Sequence, residues 1–193
     1  MILEAPPKPE TPDSLSLLVE RLDMFEATDL ADLCEATDAA ILEGGGFGWV
    51  EPPGRQALEN YYKGVLLVPE RELFVARLNG HVVGSAQLVR PPRNNEAQAF
   101  AAQLMHAFIA PYARGHGLAT QLTLAVEEYA RAMGYHVLHL DVRETQTAAI
   151  HMYETLGYSR WGENPEYALV RGKFVRGYYY SKRLRPPRGQ MVD

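Results

Sequence analysis

Apolar residues recur along this chain with two periods, and the switches between them mark out its elements. Residues 14–25 carry strand character. Residues 29–40 follow the helical period, with Leu30, Leu33, Ala36 and Thr37 near one face and Thr28 or Asp29 as cap. A glycine-rich loop occupies residues 44–49. Residues 53–66 predict a second helix with Leu58, Tyr61, Tyr62 and Val65 as its apolar stripe. Residues 73–78 and 81–89 predict strands joined at Asn79-Gly80, a strong hairpin signal. Another strand covers 98–110 and ends at Pro111.

The next helix has the clearest pattern. Leu118, Leu122, Ala125, Val126, Tyr129 and Met133 fall three or four apart, while Gln121, Glu127, Glu128 and Arg131 are expected to face away. Gly134 stops it. Residues 136–142 predict a strand and 147–156 a helix stopped by Gly157. Residues 158–170 and 174–184 predict a closing hairpin. Strands linked through helices imply a parallel pairing, and the hairpins imply antiparallel flanks, so the chain predicts a mixed α/β sheet. Residues 1–13 and 185–193 are expected to be disordered tails around a single domain at 14–184.

Composition narrows the function classes. The chain has 193 residues, one cysteine and a formal net charge of -5. A lone Cys34 excludes a disulfide scaffold, and Cys/His zinc spacing is absent, so no metal is expected. Acidity argues against nucleic-acid binding. The N-terminus lacks a basic start and an apolar run, and the longest nearly apolar stretch, residues 99–113, is interrupted by Gln103 and His106. Neither a signal peptide nor a membrane span is expected, and the reading is a cytoplasmic protein. Residues 4–59 hold 13 of the 24 acids, which favours a cationic partner on that side.

The chemistry concentrates in the turn before the long helix, Arg114-Gly115-His116-Gly117-Leu118-Ala119. Two glycines let the backbone approach a ligand. The free N–H groups of a first helical turn, with Arg114, suit a phosphate or pyrophosphate. The turn lacks the P-loop lysine and the third glycine of a dinucleotide fingerprint, so nucleotide binding is the weaker reading.

Arg114-x-x-Gly117-x-Ala119 resembles the Arg/Gln-x-x-Gly-x-Gly/Ala motif of the GNAT superfamily of acyl-CoA-dependent N-acetyltransferases, and Pro111 is typical of its approach. Ala149-Ile150-His151-Met152-Tyr153-Glu154-Thr155-Leu156-Gly157-Tyr158 is similar to that family's Ala-Ile-x-x-Tyr-x-x-x-Gly-Phe/Tyr segment. The stretches Ser85-Ala86-Gln87-Leu88 and Leu138-His139-Leu140-Asp141 resemble the tabtoxin-resistance acetyltransferases within it. The resemblance covers about residues 70–184. It implies a GNAT-like α/β (α+β) fold: a mostly antiparallel central sheet with a splayed parallel strand pair, flanked by helices.

It also implies acetyl-CoA as co-substrate. Backbone N–H groups of Arg114, Gly115, His116, Gly117, Leu118, Ala119 and Thr120 would hold the pyrophosphate. Ala107, Phe108 and Ile109 would run beside pantetheine, one of them polarising the thioester carbonyl, with the gap partner at residues 139–142. Gln146 stands where the family usually has an Asn that contacts the coenzyme. Tyr153 stands where many members place the acid that protonates the departing thiolate.

The general base is open. Gln103 stands 11 residues before Arg114, where some members use Glu. His106 is on the same strand; in a regular strand it would face away from Gln103, and a bulge would reverse that. Asp141 shares a face with His139. Glu43, Glu144 and a water route remain. Phe47, Trp49, Tyr61, Tyr178, Tyr179 and Tyr180 are candidate walls for the acceptor. Two functions follow: acetyl transfer to a small-molecule or peptide amine by direct attack in a ternary complex, or an acyl-CoA-binding sensor without turnover. The last strand, with Gly177-Tyr178-Tyr179-Tyr180, offers a route to a homodimer.

Overall fold

The computed structural model describes residues 15–45 and 47–184. The two expected tails lie outside the described residues. Seven strands form one sheet in the order β1-β2-β3-β4-β5-β7-β6. The strands are β1 (Leu17–Leu22), β2 (Arg71–Leu78), β3 (His81–Val89), β4 (Ala101–Ile109), β5 (Val137–Arg143), β6 (Ser159–Val170) and β7 (Lys173–Arg183). The helices are α1 (Asp29–Leu42), α2 (Arg55–Leu67), α3 (Leu118–Ala132) and α4 (Thr147–Thr155). Every strand pair is antiparallel except β4 with β5. The mixed sheet and its hairpins agree with the apolar pattern.

Helices α1 and α2 pack on one face through Leu33, Cys34, Leu58, Tyr62 and Val65, against Leu73, Val75 and Val82. Buried Thr37 donates to the Leu33 carbonyl and accepts from the Tyr62 hydroxyl, each at 2.7 Å, and the second bond joins α1 to α2. Helix α3 lies on the other face, where Leu118, Leu122, Val126 and Ala130 meet Ala86, Leu88, Ala102, Leu104 and Leu138.

The structure corrects three expectations. Glu127 does not face solvent; it is fully buried, and its carboxylate takes Lys182 of β7 at 2.6 Å and Arg131 at 2.8 Å. Met133 is exposed, because the apolar stripe ends with Ala130. β7 is already paired on both sides, by β5 and β6, so it has no free edge for a second copy. No helix among the described residues is long and apolar enough to cross a membrane.

Candidate functional site

The parallel pairing of β4 with β5 covers only Ala101 with Val137, Ala102 with Leu138 and Gln103 with His139. Beyond Gln103 the two strands part. β4 then bulges: Ser85 faces Phe108 and Gln87 faces Met105, so β4 uses one more residue than β3 between those pairs. The extra residue lies at His106, whose φ is 51°. A side-chain-bearing residue held at positive φ costs about 1–3 kcal/mol, and such strain concentrates at functional sites.

The bulge decides what His106 touches. Its ring lies 5.9 Å from that of Phe47 and 6.1 Å from that of Tyr61. The Tyr61 hydroxyl accepts a hydrogen bond from the Gln87 side chain, which shares a sheet face with Met105 and Gln103. His106 therefore sits on the Gln103 side, as the bulged alternative requires. Burial holds its pKa below the usual value; Arg71 adds to this and Asp141 opposes it.

The motif turn follows β4. Gly115 and Gly117 take φ values of 88° and 74°, with open space where a Cβ would stand. Gly117 caps α3, and its carbonyl accepts the Gln121 N–H. The N–H groups of residues 115–120 make no backbone hydrogen bond among the described residues.

Below this turn runs a cleft of roughly 600 Å³. Ala107, Phe108 and Ile109 line one side, Arg114, Gly115, Gly117, Leu118, Ala119 and Thr120 the second, and Gln146 and Tyr153 the third. Ten of the eleven coenzyme-contact candidates thus border one cavity. His116 is the one that does not. Arg114 pairs with Glu43, and its Nε donates to the Ile109 carbonyl at 3.3 Å. Glu43 is therefore engaged at the cleft mouth. The Gln146 amide donates to the Gly44 carbonyl at 2.8 Å.

A second cavity, roughly 400 Å³, opens where β4 and β5 part. His106, Asp141 and Tyr153 all border it, with Phe47, Met105 and Tyr167. The cavities share Ala107, Gln146, Ala149 and Tyr153. Tyr153 is buried and packs edge-on against Tyr158 at 5.6 Å. Burial pushes its hydroxyl well above the usual value, with Asp141 adding to the shift, so the phenol keeps its proton.

The tyrosine run on β7 divides by strand parity. Tyr178 and Tyr180 side with α3 and α4, where Tyr180 donates to Glu154 at 2.8 Å. Only Tyr179 faces the other way, stacked on Trp161. Tyr167, which sequence reasoning missed, donates a hydrogen bond to Asp141. Arg143, also missed, donates to the carbonyls of Gly45 and Phe47 and so holds the loop that carries Phe47. Among the described residues no cluster of side chains is suited to a metal ion.

A search of solved structures finds the fold in the N-acetyltransferase of Staphylococcus aureus Mu50, with a TM-score of 0.76 at 18% identity over 88% of this chain and 99% of that one. YncA of Salmonella typhimurium, solved with its cofactor acetyl-CoA, matches with a TM-score of 0.70 at 18% identity over 90% of this chain and 96% of that one. In sequence, the chain is 65% identical to an uncharacterized N-acetyltransferase from the hisH-hisA intergenic region of Azospirillum brasilense, over 66% of this chain and 76% of that one. The acetyltransferase (GNAT) family model matches residues 36–158, which takes in the bulged strand, the glycine turn and Tyr153, and the chain accordingly belongs to that family of acyltransferases.

Proposed function

We propose that the protein moves an acetyl group from acetyl-CoA to a primary amine by direct attack, with both substrates bound at once. The observation that carries this is the meeting of two cavities at Tyr153 and Ala107. One has the shape and unspent N–H groups for an extended polyanion; the other holds a carboxylate and a histidine.

Acetyl-CoA fits the residues present. The residue 115–120 N–H groups and Arg114 are suited to the pyrophosphate. Among the described residues the β4 backbone past Gln103 has no strand partner on the β5 side, which leaves it to pair with an extended chain. The coenzyme supplies a thioester, an acyl carbon open to attack by an amine. The N–H of Ala107 or Phe108 meets the negative charge that grows on the acyl oxygen. His106, kept neutral by burial, takes the amine's proton as the C–N bond forms, and Asp141 steadies the cation. Tyr153 gives its proton to the sulfur as the C–S bond breaks, and recovers one from solvent. Cys34, on the buried face of α1, takes no part.

Thiol release screened against small amines and short peptides tests this. Acetyl-CoA is expected to raise the melting temperature and ATP is not. Stabilisation by ATP alone would favour a nucleotide binder. Stabilisation by acetyl-CoA without turnover of any amine would favour a sensor.

A further inference from the structure

Tyr167 reaches Asp141 across an intervening strand, and the local chain is shaped to allow it. β6 and β7 pair regularly at Asn164 with Gly177 and again at Ala168 with Val175. β6 therefore carries two extra residues, at Pro165-Glu166-Tyr167. Pro165 has no N–H for the ladder, and the Asn164 side chain accepts the Glu166 N–H at 3.0 Å, which steadies the irregular segment. The displaced Tyr167 ring lies directly over buried Gly177, where a Cβ would run into it. From there its hydroxyl donates to Asp141 on β5. An irregular segment, a glycine slot and a half-buried phenol converge on one carboxylate.

That carboxylate borders the second cavity. Its other walls are mixed: Phe47, Val50, Met105 and Leu169 are apolar, while His106, Gln146 and Tyr153 present polar groups. Arg143 also borders it, but its guanidinium donates to the Gly45 and Phe47 carbonyls. We propose that Tyr167 is a positioning residue that holds Asp141 as the seat of the acceptor's ammonium group. This rests on the acetyl-transfer reading above. A carboxylate held in one orientation at a cavity wall prefers an ammonium head to a neutral isostere, because the charge-assisted hydrogen bond to the ammonium is about twice as strong as a neutral one.

Benzylamine and benzyl alcohol are the probes, read by melting temperature in the presence of saturating CoA and by acceptor KM in thiol release. In the wild type, benzylamine is expected to stabilise and benzyl alcohol is not. Tyr167→Phe keeps the ring over Gly177 and loses only the hydroxyl. It should raise the apparent Kd and KM for benzylamine about tenfold, the loss of one hydrogen bond to a charged group, with the KM for acetyl-CoA unchanged. Gly177→Ala, which displaces the ring, should do the same, and Asp141→Asn should abolish the benzylamine response. A Tyr167→Phe protein indistinguishable from wild type toward benzylamine, or benzyl alcohol binding as well as benzylamine, overturns the proposal. Failure of acetyl-CoA to stabilise even the wild type would instead overturn the acetyl-transfer reading, and this inference with it.

Discussion

Arg114 and Glu43 form an ion pair across the mouth of the larger cleft, joining the glycine turn to the C-cap of α1. Any polyanion that uses Arg114 must compete with the Glu43 carboxylate. Both side chains are about half exposed, so the pair is worth at most about 1 kcal/mol. We predict that Glu43→Gln tightens acetyl-CoA two- to fivefold, a range that about 0.5–1 kcal/mol supplies. Titration calorimetry measures it; weaker binding by the variant would mean that Glu43 helps hold the turn.

Tyr153 borders both cavities with a phenol that burial keeps protonated. Tyr153→Phe preserves the edge-on packing against Tyr158 and removes the proton. The expected result is a kcat lower by about 10²-fold, at the lower end of what a general acid contributes, with acetyl-CoA affinity unchanged. Rapid-quench measurement of thiol release against equilibrium coenzyme binding separates the two. Unchanged turnover would remove Tyr153 from the mechanism.

The fold and the larger cleft were legible because local signals carried them. Gly115 and Gly117 mark a turn, Pro111 ends a strand, and Leu118, Leu122 and Val126 mark a buried helix face. What could not be read locally depends on partners distant in the chain. Glu127 occupies a position that helical periodicity assigns to water, and it is buried because Lys182, 55 residues on, neutralises it. His106 faces the Gln103 side because of a bulge that no glycine or proline announces. Tyr167 had one signal, Pro165 inside an otherwise strand-like run, which marks an irregularity without saying where the next ring will point. Tyr178, Tyr179 and Tyr180 look equivalent in sequence, and strand parity alone separates them.

Glu127 offers a stability test. Its carboxylate is fully buried between Lys182 and Arg131, whose side chains stay partly exposed. Glu127→Gln leaves Lys182 without its counter-charge and Arg131 with only the exposed Glu128. The expected loss is about 3 kcal/mol, near the low end for a broken buried pair, because Lys182 and Arg131 reach some water. For a chain of this size that lowers Tm by about 6–12 °C. Lys182→Met added to Glu127→Gln should cost less than the sum of the single changes, since the two remove one interaction. Additive losses in denaturant melts would show the pair to be energetically independent.

His106 sets a pH dependence whose sign follows from its burial. The folded chain resists protonating it, so its pKa lies below the ordinary value of about 6.5 that the unfolded chain retains. Above that value the ring is neutral in both states, and its titration contributes nothing further. As pH falls below it, the unfolded chain takes up a proton that the folded chain refuses, and stability is lost until the pH passes the folded pKa. His106→Asn removes this component. The stability difference between wild type and variant should therefore be flat above pH 7.5 and should shift against the wild type from about pH 6.5 downward. With the neutral ring as the proposed proton acceptor, the same ordering places the acid limb of kcat/KM below pH 6.5 in the wild type, and the variant should lose that limb along with most of its rate. Urea melts and initial rates across pH 5–8.5 read both effects. An acid limb that survives intact in His106→Asn would move the proton acceptor to Asp141 or to water.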